Sequence, residues 1–297
     1  MRRATASAVA LAVLLALAGC AEASVDGDLT DDWPALGEPR QFLPVAGVCH
    51  TTESPREVSA AQSSVDCAVP HLGETVHVGA FPAGVAKLPP EQAAESRAAF
   101  AECDRRAAGY VGAQWRSARL RLDVAVPTGT AWARGARWFR CDLTEVTGVE
   151  QESPAPVLRT GSLRNALTTG GPLLLGCYTA ALSRVGLVEK LTPVDCARGH
   201  NAEFAGVWPV PERLDRPRRD RDWLPFYEAC SRIIAAYVGV PDDGLLPARA
   251  GIKPVPTSAA RWRAGDRAAR CYFWLPQRQV QSSLRGGGPD ALPVPGR

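Results

Sequence analysis

Lysine is almost missing from this chain: Lys87, Lys190 and Lys253 are the only three, so arginine supplies nearly all of the 34 basic residues. Methionine occurs once, at Met1. Both scarcities fit a coding bias better than a function. Histidine is scarce too, with only His50, His71, His77 and His200. The sequence contains no metalloprotease His-Glu helix motif, no serine-hydrolase elbow and no phosphate-cradling glycine loop. Nothing in it requires a cofactor. Net charge is only +3, too little for an electrostatically driven nucleic-acid binder. The longest apolar run, Ala8 to Leu17, falls short of the roughly 20 residues needed to span a bilayer.

What the chain does have is cysteine, arranged twice over. Cys49, Cys67, Cys103 and Cys141 are echoed by Cys177, Cys196, Cys230 and Cys271 at offsets of 128, 129, 127 and 130. So small a drift identifies a tandem duplication with short loop insertions. Cysteines in such numbers point to an oxidising compartment. Other residues keep the same register. Val65, Asp66, Cys67, His71 and Glu74 match Val194, Asp195, Cys196, His200 and Glu203. Tyr110 and Gly112 match Tyr237 and Gly239, while Ser162, Leu163 and Arg164 match Ser283, Leu284 and Arg285.

Cys20 has no counterpart in the duplication. Arg2 and Arg3 form a positive start, an apolar run follows, and Leu17, Ala18, Gly19 and Cys20 resemble a bacterial lipoprotein box. The resemblance implies a signal peptide over residues 1–20, with Cys20 acylated; two or more acyl chains anchor stably where one does not. The acidic stretch 21–41 reads as a flexible tether, followed by domains at 42–169 and 170–287 and a disordered tail at 288–297.

Each domain reads as α+β, with one main helix packed on a small, mainly antiparallel sheet. Alternation marks strands at Thr75–Phe81, along Leu120, Leu122, Val124 and Val126, and at Arg137–Leu143. Helices are expected from Pro90 to Gly109 and from Pro225 to Tyr237, the second carrying Phe226, Cys230, Ile233, Ile234 and Tyr237 on one stripe. Four cysteines allow three pairings. The first two lie on neighbouring extended segments, the third on the helix core face and the fourth on the strand it should cover. The layout therefore favours pairing first with second and third with fourth.

His71 with Glu74, and His200 with Glu203, are the constellation with chemical potential. Such a pair could donate two metal ligands, act as base and orienter, or simply hydrogen-bond the turn after the second cysteine and the start of the next strand. The structural role is the expectation. Trp132 and Trp262, each followed by glycine and arginine, offer either an exposed ligand platform or a cap on the core, the latter favoured. The cluster Arg213, Arg216, Arg218, Arg219 and Arg221 is interrupted by Glu212, Asp215, Asp220 and Asp222, and reads as a nearly neutral solvated loop.

These residues together resemble the septum-formation family of actinobacterial envelope proteins. The resemblance is carried by the early cysteine, Val-Asp-Cys, His and Glu, the helical cysteine, the Tyr-Val-Gly turn, and the closing Pro-Thr, Trp, Gly-Asp-Arg and Cys. The second repeat matches best, with Pro256, Thr257, Trp262, Gly265, Asp266, Arg267 and Cys271; the first has Ala136 in place of the aspartate. It implies an envelope module without an established reaction. The expectation is a lipid-anchored, extracytoplasmic, non-enzymatic binding or scaffold protein, with another envelope protein or a wall polymer as partner. Its alternatives are a wall-acting hydrolase or a metal or small-ligand binder.

Overall fold

The computed structural model describes residues 42–53, 63–150 and 154–294. The expected signal peptide, Cys20 and the tether lie outside the described residues. Two five-stranded antiparallel sheets follow one another along the chain. The first contains β1 (Val48–His50), β2 (Ser64–Val65), β3 (Gly73–Ala80), β4 (Leu120–Ala125) and β5 (Trp138–Glu145) in the order β2-β1-β3-β5-β4. The second contains β6 (Cys177–Leu182), β7 (Val188–Val194), β8 (Ala202–Pro209), β9 (Gly251–Pro256) and β10 (Ala268–Trp274) in the order β7-β6-β8-β10-β9. Position for position the two orders are the same, as a duplicated sequence requires.

One long helix covers each sheet: α1 (Ala94–Val111) on the first, with the short α2 (Gly129–Ala133) beside it, and α3 (Leu224–Val238) on the second. Ala99, Phe100, Cys103, Ala107 and Val111 are the buried residues of α1, a stripe at three- and four-residue spacing. In α3 that stripe is Phe226, Cys230, Ile234 and Val238, while the expected Ile233 and Tyr237 lie half-buried on its edge. Both helices stop at a left-handed glycine, Gly112 and Gly239, each at φ 84°, which lacks the Cβ that would resist that conformation. α1 starts four residues later than expected, because Pro90 to Ala93 form a turn closed by the Ala93 N–H on the Pro90 carbonyl.

The short helices close the repeats. α2 is capped by Thr128, whose hydroxyl accepts from the Ala131 N–H; α5 (Ala259–Arg263) is capped by Ser258 on Arg261. The residue inserted before Trp262 thus takes over the cap, leaving Thr257 to bond the Asp266 carbonyl. α4 (Leu246–Arg249) precedes β9. The stretch expected to be a disordered tail is instead ordered through residue 294. It forms α6 (Gly288–Ala291), and Leu292 is fully buried in the second core while Arg249 donates to its carbonyl at 3.0 Å. One apolar side chain in the right place outweighs the Gly/Pro composition around it. A bulge between Thr75 and His77 breaks the alternation expected along β3, so that Val76 is buried but Ala80 is exposed.

The disulfides join Cys49 to Cys67, Cys103 to Cys141, Cys177 to Cys196 and Cys230 to Cys271. The second and fourth pin helix to central strand; the first and third tie the edge hairpin. Among the described residues no helix is long and apolar enough to cross a membrane.

The sheet faces turned away from the helices have diverged. In the first repeat that face is polar: His50 Nε2 lies 2.9 Å from Thr75 Oγ1, Thr75 donates to Asp142 at 2.8 Å, and Arg140 forms a fork on Asp142 at 2.9 Å. The corresponding residues of the second repeat are Tyr178, Phe204, Tyr272 and Arg270, which place aromatic edges where the first has a hydrogen-bonded network. Burial, then Arg140, then His71 hold the His50 imidazole down at about 4, from an ordinary 6.5. A histidine with a lowered folded-state pKa contributes its full stability above pH 6.5 and loses it as pH falls towards 4, because the unfolded chain takes up that proton first. Denaturant midpoints are therefore expected to decline between pH 6.5 and 4, and less steeply in His50→Gln. Parallel declines in the two proteins would remove His50 as the cause.

The repeats meet through charged groups. Arg116 donates from Nε to Asp266 at 2.8 Å and also pairs with Asp104 at 2.6 Å. Arg261 reaches Asp123 and the Leu122 carbonyl, Arg270 donates to the Arg116 carbonyl at 2.9 Å, and Tyr272 donates to Glu150 at 3.0 Å. Asp266 is almost fully buried here, which explains its asymmetry: its counterpart Ala136 is buried within its own repeat and has no such partner to meet.

Candidate functional site

Both His-Glu pairs lie in the core. His71, Glu74 and His200 are fully buried and Glu203 is 1% exposed. A short turn brings each pair back from the second cysteine: Asp66 and Asp195 accept from Ala68 and Ala197, an Asx turn. Each imidazole Nδ1 then lies 2.8 Å from a carbonyl of that turn, Val69 for His71 and Arg198 for His200. Each histidine is thus held by the turn that follows the second cysteine.

The glutamates do something broader. Glu203 accepts from the Tyr237 hydroxyl, the Ser283 hydroxyl and the Leu284 N–H, each at 2.8 Å. Its other neighbour is His200 Nε2 at 3.2 Å. Glu74 accepts from Tyr110, from Ser162 at 2.5 Å and from the Leu163 N–H at 2.6 Å. In each repeat one carboxylate thus ties β3 or β8 to the C-terminal turn of the helix and to the segment after the last strand. Arg164 and Arg285 stack over the tyrosine rings at 4.4 and 5.5 Å and finish the clasp. Burial, with the carboxylate beside it, raises the Tyr110 hydroxyl; burial does the same to Tyr237.

Tyr110, Ser162 and Leu163 belong to the site as much as His71 and Glu74 do. Sequence reasoning noted that both repeats contain them but did not join them to the glutamate. The signal was available: they are polar or turn residues kept at matching offsets on three separate elements, which one shared partner would explain.

The two clasps differ in one contact. His200 meets Glu203, whereas His71 Nε2 is buried without a hydrogen-bond partner among the described residues. As a metal centre neither is well supplied. Cys177 Sγ, His200 and Glu203 offer atoms within 4.8 Å of one another, but that sulfur is bonded to Cys196 and is no thiolate. In the second repeat the imidazole and carboxylate atoms are already spent on hydrogen bonds, and in the first the carboxylate is.

The tryptophans lie elsewhere. Trp132 is 4% and Trp262 7% exposed, each at the end of its core. Trp132 rests edge-on against Phe81 and donates to the Ala86 carbonyl, and Trp262 lies against Phe226. Arg137 and Arg267 stack on them at 4.3 and 4.8 Å. Glu74 and Phe81 are seven residues apart on one strand run, roughly 23 Å at the usual rise. Histidine, glutamate and tryptophan therefore do not converge on one pocket.

Two α+β units of one topology, each stapled by two disulfides and closed by the same buried carboxylate clasp, make this a duplicated structural module. The chain belongs to the septum formation family, whose model matches residues 46–279. That single match runs through both halves, so the duplication rests on the internal correspondences and the two sheets. No curated protein and no solved structure matches the chain. Family membership associates it with the cell envelope and with septum formation.

Proposed function

We propose that this chain is a lipid-anchored, extracytoplasmic protein that binds or scaffolds other envelope components near the division septum, without catalysing a reaction. The observation that carries the reading is the sealed clasp. In both repeats the glutamate of the pair, and in the second the histidine as well, is consumed by hydrogen bonds that close the fold, which leaves recognition by surfaces as the function it supports. Four disulfides favour an oxidising compartment, and the Leu17–Cys20 segment favours attachment by acylated Cys20.

Fractionation tests the anchor. Wild-type protein is expected in the membrane pellet and Cys20→Ala in the soluble fraction; a variant that stays with the membrane overturns it. For the binding role, cross-linking in intact cells followed by pull-down should recover an envelope protein or wall polymer. Release of soluble fragments from purified cell wall by the protein would overturn the non-enzymatic part.

A further inference from the structure

The arginine-rich loop that precedes α3 does not stand alone in solvent. It folds over the turn after α5 and faces the start of α1, enclosing a groove of about 1030 Å³. Charges distant in sequence join it there: Arg97 from the first repeat, and Arg263 and Arg267 from the second. Eight arginines line the groove against three acids, Glu212, Asp215 and Asp222, so the near-neutral loop of the sequence becomes one wall of a strongly basic recess.

The way Arg97, Arg216 and Arg267 are held keeps their charge available. Arg216 donates to the Thr257 carbonyl at 2.9 Å, Arg267 to the carbonyls of Glu212 and Leu214, and Arg97 to the Gln92 carbonyl. A main-chain carbonyl orients a guanidinium without neutralising it, unlike a carboxylate. Arg213 and Arg263 are exposed and make no ion pair with any described residue. Of the three acids, Asp222 is already engaged by Arg219 and by the N–H groups of Arg218 and Arg219, which hold its carboxyl down at about 2. The first turn of α3 adds the positive end of a 15-residue helix.

We propose that this groove binds an anionic envelope polymer, a chain of phosphodiester-linked sugar or polyol units. Guanidinium groups suit phosphate oxygens, and a row of them along concave walls suits successive phosphates of one strand. The recess lies at the upper end of the roughly 300–1,000 Å³ of a small-molecule site, which leaves room for several units of a chain where one small anion would fill little of it. Its arginines line concave walls, which a strand can enter and a flat bilayer cannot. The proposal deepens the binding role above and takes from it only the location where such a polymer is met.

Every arm of the test uses the full chain with Cys20→Ala, so that no anchor contributes and failure of the lipid reading leaves the result unaffected. Poly(glycerol phosphate) is titrated into this protein, beside inorganic phosphate and phosphatidylglycerol vesicles. The polymer is expected to bind, and to release as salt rises from about 0.1 M to about 1 M, where the screening length shrinks from ~10 to ~3 Å. Arg213→Ala with Arg263→Ala should weaken binding by about tenfold or more, since each removes a charge-assisted contact. Arg105→Ala with Arg106→Ala, equal in charge change but outside the groove, should not. Unchanged melting temperatures show that both double variants fold. Absence of polymer binding, equal losses in the two double variants, inorganic phosphate bound as tightly as the polymer, or vesicles bound through Arg213 and Arg263 in its place would each overturn the proposal.

Discussion

Glu203→Ala is expected to cost about 3–5 kcal/mol of folding stability. The substitution removes the acceptor of three donors at once: the Tyr237 hydroxyl, the Ser283 hydroxyl and the Leu284 N–H. Each buried donor left unpaired costs about 1–3 kcal/mol. The total stays below a simple sum because the two hydroxyls lie 3.0 Å apart and can pair with each other, whereas the main-chain N–H has no such recourse. Glu203→Gln is the sharper test. It preserves shape but removes the charge and turns one of the two acceptor oxygens into an NH2, leaving a single oxygen for three donors, so it should still lose about 1–2 kcal/mol. Denaturant unfolding measures both. Losses below about 1 kcal/mol would mean that the clasp is ornamental and that something else closes the second repeat. A catalytic role would produce the opposite pattern, loss of an activity with stability kept.

The sequence made the architecture readable because duplication supplies its own control. A residue that matches at a constant offset must satisfy the same local need twice, which is how Cys103 and Cys230 could be placed on helices and Cys141 and Cys271 on the strands beneath. The second helix ends within a residue of the expected Tyr237, whereas the first, expected to end at Gly109, runs on to Val111 and stops at Gly112, the match of Gly239. Three features escaped it. The clasp joins residues nearly 90 positions apart, and no periodicity links Glu74 to Leu163. The ordered end was hidden by its glycines and prolines, since the burial of Leu292 depends on a core assembled from the rest of the repeat. The basic groove was hidden because the charge of a loop read alone omits Arg97, Arg263 and Arg267, which only folding brings beside it. His50 shows the reverse limit. The internal comparison does not point to it, because Tyr178 occupies its place in the second repeat, yet that substitution is how one face became a polar network and the other an aromatic one.

The four disulfides should not be equivalent. Cys230→Ala with Cys271→Ala is expected to destabilise the protein by about 4–5 kcal/mol, and Cys177→Ala with Cys196→Ala by about 3 kcal/mol. Part of the difference is chain entropy: the cysteines are 41 residues apart in the first case and 19 in the second, worth roughly 4 against roughly 3 kcal/mol by loop closure. The remainder is burial. Cys230 and Cys271 are fully buried between α3 and β10, so removing their sulfurs also leaves a cavity in the second core, whereas Cys196 lies half-exposed beside its turn. The same contrast separates Cys103–Cys141 from Cys49–Cys67. It extends to kinetics, because a reductant must reach sulfur before exchange can begin. Under native conditions the two hairpin bridges should open first, with the helix-to-sheet bridges following only when the repeats unfold. Timed alkylation and peptide mass mapping would show the order. Early reduction of the buried pairs, or equal stability losses in the two double-alanine variants, would mean that the helices are held on their sheets by apolar contact alone.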